Sequence, residues 1–220
     1  MYSILLSNYS EGFETVKNIL EKLITSGSKL VVIPWTFAAE LKTKNIAEFF
    51  DETRKSNYLQ PMYDLGIKER DIIILDCYNH SKEYMVNAIY ESDIIILTGG
   101  NPEMLYKKVI EAGILESLQK YSNIIIGSSA GAEIQLKKYF ITKKNNYYNK
   151  FAWYDGFAII DNDFYFDVHS VNIGRYLPSL KKRSEIIKKT IYCLFDSGAI
   201  IYNRDTNELK YYGKVIKFNW

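Results

Sequence analysis

Five short runs of the chain are apolar at nearly every position: SILLS from Ser3, KLVVIPW from Lys29, DIIILDC from Asp71, DIIILTGG from Asp93 and NIIIGSS from Asn123. A strand with water on one face alternates apolar and polar residues, so uninterrupted runs predict strands buried on both faces. Between them, GFETVKNILEKLI, SKEYMVNAIYES and PEMLYKKVIEAGILESLQKY carry apolar residues at helical spacing. Strand and helix repeated in this order predict a parallel sheet with helices on both faces, because right-handed crossovers place them there. The polar and aromatic stretch from Thr36 to Lys68 has helical patches and is expected to form an elaborated crossover. Beyond Phe140, GFAII, FYFDVHS, GAIIYN, ELKYYG and KVIKFN read as further strands, some antiparallel, with SLKKRSEIIKKTIYCLF a helix among them. No internal repeat, low-complexity tract or Pro/Gly linker divides the chain, so residues 1–220 are expected to form one α/β domain.

The chain has 220 residues, 47% of them hydrophobic, enough for a sizeable core. A formal charge of +2 with no basic stripe gives no support for binding nucleic acid. Tyrosine is abundant but scattered, which fits packing. Cys77 and Cys193 are the two cysteines. They lie far apart in no metal-ligand spacing, so neither a disulfide framework nor a zinc site is expected, and a cytoplasmic location suits them. The N-terminal MYSILLSNYS lacks the pattern of a signal peptide, and no apolar run reaches the roughly 20 residues that span a bilayer. A soluble protein without membrane contact is expected.

Candidate chemistry gathers where strands end. In an open parallel sheet, ligands bind beyond the carboxyl ends of the strands, and two such ends carry unusual residues, TGGNP and GSSAGA, which should be neighbours in space if their strands are adjacent. Gly127, Ser129 and Gly131 fit G-x-S-x-G, a sharp turn from strand to helix that thrusts a serine hydroxyl outward and leaves no room for flanking side chains. Spacing alone suits tight packing as well as it suits catalysis. A serine nucleophile needs a base, usually a histidine oriented by a third group. Of the two histidines, His80 lies in a turn where a capping or exposed role fits, whereas His169 ends the apolar FYFDVHS, and the elbow favours it as the base. Acyl transfer also needs backbone donors for the oxyanion, and Ala130, next after the serine, supplies one. Gly100 is the candidate for the second, with Asn101 and Pro102 capping and starting the next helix. No GxxxxGK[ST] is present, and no GxGxxG follows the first strand, so a phosphate cradle is weakly supported.

With these residues in view, the chain resembles the dipeptidase E and cyanophycinase group of serine peptidases. LTGGNPEMLYKKV is similar to that family's GGN strand end and helix, GSSAGAEIQ to its G-x-SAGA elbow, and GFAIIDNDFYFDVHS to its strand pair ending at the base histidine. The likeness runs from about Lys29 to about Tyr202. It implies a flavodoxin-like three-layer α/β sandwich related to class I glutamine amidotransferases, with Ser129 as nucleophile, His169 as base and then acid, and the amides of Gly100 and Ala130 as oxyanion hole. It places Asp196, in FDSGAIIY, where the family's acid precedes a short strand. An α/β-hydrolase order would instead draw the acid from Asp155, Asp161, Asp163 or Asp167, upstream of His169. The resemblance implies a small peptide substrate, such as one with an N-terminal aspartate, and no metal or cofactor. Arg183 is then a candidate for the substrate carboxylate, Glu133 for its amine, and Asn101 for a further contact, although the run Lys181-Lys182-Arg183 also reads as a solvated helix face. Hydrolysis of another amide, as in cyanophycinases, and a non-catalytic ligand-binding relative are the competing functions. A homodimer is compatible with the resemblance.

Overall fold

The first buried run becomes β1 (Tyr2–Leu6), and it ends where Asn8 caps helix α1 (Tyr9–Leu23) by accepting the amides of Ser10 and Glu11. The structure, a computed structural model, describes residues 1–36, 46, 50, 52–143, 148–161 and 163–220, with backbone alone at 52–54. In chain order there follow β2 (Leu30–Ile33), α2 (Glu52–Asp64), β3 (Ile72–Ile74), α3 (Lys82–Glu91), β4 (Ile94–Leu97), α4 (Pro102–Ala112), α5 (Leu115–Lys120), β5 (Ile124–Ser128) and the short α6 (Ala130–Glu133). The second half contributes β6 (Lys138–Ile141), β7 (Ala152–Asp155), β8 (Phe164–Asp167), α7 (Tyr176–Ile187), β9 (Thr190–Leu194), β10 (Ala199–Asn203), β11 (Glu208–Tyr212) and β12 (Val215–Phe218).

Seven strands form the main sheet in the order β11-β10-β1-β5-β4-β2-β3. The five predicted from uninterrupted apolar runs are parallel to one another, and β10 and β11 extend the sheet antiparallel from β1. Successive side chains of a strand point to opposite faces, and the core divides accordingly. Leu5, Val31, Ile33, Ile95, Leu97 and Ile125 pack with residues of α3, α4 and α5 on one face. Ile4, Leu6, Val32, Ile94, Ile96 and Ile126 pack with Phe13, Val16 and Leu20 of α1 and Leu59 and Met62 of α2 on the other. The result is the expected mixed α/β architecture with a large, mostly parallel central sheet. A three-stranded sheet, β12-β9-β8, adds Phe164, Phe166, Tyr192 and Leu194 to the first of these faces, and α7 packs on it through Leu177 and Leu180.

Three expectations change. The long helix predicted from Pro102 is two helices, because Gly113 adopts the left-handed conformation and caps α4. The helix predicted over SLKKRSEIIKKTIYCLF runs only to Ile187, since Lys188 takes the left-handed cap position and the β-branched and aromatic TIYCL becomes β9, hydrogen-bonded to both β8 and β12. GFAII buries Phe157 and Ile160 but is not a strand. Its amides at Phe157 and Ile160 donate to Ile134 O and Gln135 O, so the segment packs as a loop against the end of the elbow helix, while the neighbouring AWYD forms β7 against β6. Much of the predicted crossover from Thr36 to Lys68 lies outside the described residues; α2 and the segment after it are within them.

Phe13 is almost fully buried and stands at the centre of the face that α1 covers, with Tyr9 beside it. Phe13→Ala is expected to destabilise the protein by about 3–5 kcal/mol, read as a lower urea midpoint at unchanged slope. A loss below about 1 kcal/mol would contradict this account of how α1 is held.

Candidate active site

The strand end GSSAGA turns under a backbone constraint. A Cβ added at Gly127 would lie 2.1 Å from Gly131 O, and one added at Gly131 would lie 2.1 Å from Leu97 O. Main chains of β5, α6 and β4 therefore touch where no methyl group fits. Ser129, between them, is held at φ 49, ψ −116, an uncommon conformation for a residue with a β-carbon. Its N–H donates to Leu6 O of the adjacent strand β1 at 2.9 Å, and its own carbonyl accepts from Ala132 and Glu133, starting α6. Ser128 is buried and Ser129 partly exposed, so the turn separates the two serines as the G-x-S-x-G pattern predicts.

The partly exposed hydroxyl of Ser129 is 3.0 Å from His169 Nε2, and His169 Nδ1 is 2.7 Å from Asp196 Oδ1. An Nδ1–H donated to the carboxylate leaves the Nε2 lone pair facing the serine O–H, the tautomer that a general base needs. Asp167, the most buried of the alternative acids, is occupied elsewhere: it accepts hydrogen bonds from Thr142, Ser170 and Tyr176. Asp155 and Asp161 pair with Lys138 and Lys137. Asp163 is exposed ahead of β8. The relay thus runs in the order Ser129, His169, Asp196, from segments that follow β5, β8 and β9.

The two strand ends are neighbours, since Leu97 of β4 pairs with Gly127 of β5, and a Cβ at Gly99 would meet the Cβ of Ser129 at 3.3 Å. The Gly99 N–H donates to the Tyr58 hydroxyl at 2.8 Å. Gly100, exposed and at φ 133, takes a conformation open to glycine. Among the described residues no acceptor takes the N–H of Gly100 or of Ala130. Thr36 fixes this loop from the end of β2: its hydroxyl donates to Gly99 O and its carbonyl accepts the Asn101 N–H.

The remaining candidates lie around this centre in different roles. Asn101 caps α4, its side-chain oxygen accepting from Met104 N at 3.0 Å. Glu133 is buried one turn after the elbow, and its charge, after burial itself, helps raise the Tyr139 hydroxyl well above the usual phenol range. Arg183 of α7 stacks on Phe151, its guanidinium carbon 3.3 Å from the ring centre, and partial burial lowers its pKa. Among the described residues the partner of Arg183 is this ring rather than a member of the relay.

Sequence reasoning missed Tyr58, Thr36 and Ser7. The Tyr58 hydroxyl also lies 3.1 Å from Ser128 Oγ, tying α2 to both strand ends. Ser7 follows β1, and its hydroxyl accepts the His169 N–H at 2.7 Å. A serine just past the carboxyl end of a parallel strand was a usable signal. Tyr58 offered none beyond its helical setting. Among the described residues no group of three or more His, Cys, Asp and Glu side chains could hold a metal, and no helix is long and apolar enough to cross a membrane.

The sequence profile of peptidase family S51 matches residues 4–211, nearly the whole chain, and the protein belongs to that family. Two solved structures share its fold. A crystal structure of a candidate peptidase E protein from Listeria monocytogenes superposes with a TM-score of 0.63 at 19% identity, covering 100% of this chain and 98% of that one. A peptidase from an acI-B1 Actinobacterium gives a TM-score of 0.60 at 16% identity, covering 99% of this chain and 90% of the other. No curated protein matches the sequence at a significant level.

Because a Cβ at Gly131 would collide with backbone rather than with a movable side chain, Gly131→Ala is expected to cost about 3 kcal/mol or more. Thermal unfolding checks this; an unchanged midpoint would show that the elbow has slack.

Proposed function

We propose that this chain is a serine peptidase that cleaves short peptides, those with an N-terminal aspartate foremost, through an acyl-enzyme. The observation that carries the reading is the continuous relay from Ser129 Oγ through the imidazole of His169 to Asp196, built on a strained elbow. His169 Nε2 takes the hydroxyl proton as Oγ forms a bond to the substrate carbonyl carbon. Negative charge then develops on the carbonyl oxygen, and the N–H groups of Ala130 and Gly100 are the donors proposed to receive it. As the C–N bond breaks, the imidazolium gives its proton to the departing amine, and Asp196 stabilises the imidazolium while it exists. Water, deprotonated by the same imidazole, releases the acyl group and restores Ser129. No step needs a group beyond these residues.

The preference for aspartate draws on family membership and on the peptidase E description of the Listeria protein. Arg183 is the cation proposed for the substrate side-chain carboxylate. Stacking on Phe151 occupies a face of the guanidinium and leaves its in-plane N–H donors for a bidentate partner. Glu133 is the anion proposed for the substrate amine, and Asn101 a further contact beside the oxyanion loop.

The test is a panel of α-aspartyl, β-aspartyl and neutral dipeptides, run on wild type, Ser129→Ala, Asp196→Asn and Arg183→Lys. α-Aspartyl dipeptides are expected to turn over fastest. Ser129→Ala should fold and be inactive, Asp196→Asn should lose about 10³–10⁴-fold in kcat, and Arg183→Lys should raise KM for aspartyl substrates alone. Hydrolysis by Ser129→Ala at the wild-type rate contradicts the mechanism, and preference for β-aspartyl bonds points to cyanophycinase-like chemistry instead.

A further inference from the structure

One segment of three residues touches the backbone of every member of the relay. At the carboxyl end of β1, Leu6 O accepts the Ser129 N–H at 2.9 Å, the Ser7 hydroxyl accepts the His169 N–H at 2.7 Å, and the Asn8 N–H donates to Asp196 O at 3.2 Å. Ser7 makes two further bonds. Its hydroxyl donates to Leu194 O at 3.1 Å, two residues before Asp196, and its N–H donates to Gly198 O at 3.0 Å, two residues after. The hydroxyl oxygen is thus wedged between the backbone that carries the imidazole and the strand that delivers the carboxylate.

Two features make this hydroxyl hard to replace. It is fully buried, so without it the His169 N–H would lose its acceptor away from water, while Leu194 O would be left with the Ser170 N–H that it also accepts at 2.9 Å. His169 also sits at φ 49, a conformation that persists in a residue with a side chain only when its surroundings hold it. The N–H of that strained residue is the group that Ser7 grips. A change in the backbone angle at His169 swings the whole ring, whose two nitrogens must meet Ser129 and Asp196 simultaneously.

We propose that Ser7 is a positioning residue: by accepting from His169 N–H and donating to Leu194 O, it sets the imidazole in line between Ser129 and Asp196. The catalytic consequence rests on the serine-peptidase reading above, whereas the geometric claim stands without it. Ser7 has no contact with the reacting atoms. Its effect passes through the hydrogen bond between His169 Nδ1 and Asp196.

The chain contains two histidines, His80 and His169, so labelling histidine with ¹⁵N gives a direct readout. His80 Nδ1 accepts from the Asp76 N–H in a separate turn and serves as the internal reference. In wild type the His169 Nδ1–H should appear as a low-field proton that disappears in Asp196→Asn. In Ser7→Ala that proton should be lost or broadened while the His80 signals stay in place. kcat should fall about 10–100-fold, the scale expected when reacting groups are slightly misplaced, with KM unchanged within about twofold. In an Asp196→Asn background, Ser7→Ala should add less than about a further twofold, because both act through one contact. Ser7→Cys, close in volume and a poor acceptor, is expected to fold and to show the same losses, and it decides the matter if Ser7→Ala unfolds. A low-field proton that persists in the variants, an undiminished kcat, or full additivity with Asp196→Asn overturns the proposal. A wild-type chain that cleaves no peptide removes the serine-peptidase reading, and the proton comparison still decides what Ser7 does.

Discussion

The contact on which the site depends is between main chains: at Gly127, Gly131 and Leu97 the backbones of β5, α6 and β4 approach until a methyl group would overlap them. A chain pressed this closely against two neighbours cannot relax into an ordinary strand-to-helix connection. Ser129 absorbs the bend at positive φ, its hydroxyl is directed out of the sheet, and α6 begins at once. Tight packing of the small residues and a bend at Ser129 thus go together, since the close backbone contacts are what force the bend.

Around that bend the sheet works as a template. β5 lies between β1 and β4, so the elbow has a strand end on either side: TGG, held by Tyr58 and Thr36, and Ser7–Asn8, bonded to the segments that carry His169 and Asp196. The second sheet supplies those segments, because His169 follows β8 and Asp196 follows its parallel partner β9. Residues distant in sequence are brought together by strand pairing rather than by any local motif. Both side chains of the His169 and Asp196 pair remain partly open to solvent, at 41% and 52% exposure.

The central fold was legible because strands buried on both faces leave an unbroken apolar signature, and each of the five such runs became a parallel strand. Glycine spacing and family resemblance both point to the elbow, the GG loop, His169 and Asp196, and hydrogen bonds join Ser129, His169 and Asp196 in one line. What escaped lacked local punctuation. β9 hid behind a helix whose left-handed cap is Lys188 rather than glycine or asparagine, and GFAII has the composition of a strand but spends its amides on the end of the elbow helix. Tyr58 left no signal, and the place of Ser7 past a strand end did not tell its role, for a deeper reason: a hydroxyl reveals its use only when its partner is known, and the partner of Ser7 lies 162 residues along the chain.

The most direct measurement is covalent labelling with a serine-directed fluorophosphonate followed by peptide mapping. A single adduct on Ser129, formed by the wild type and lost in His169→Ala, is the predicted result. An adduct that forms equally well in His169→Ala, or that maps to another serine, would contradict a nucleophile made by this elbow and activated by this imidazole.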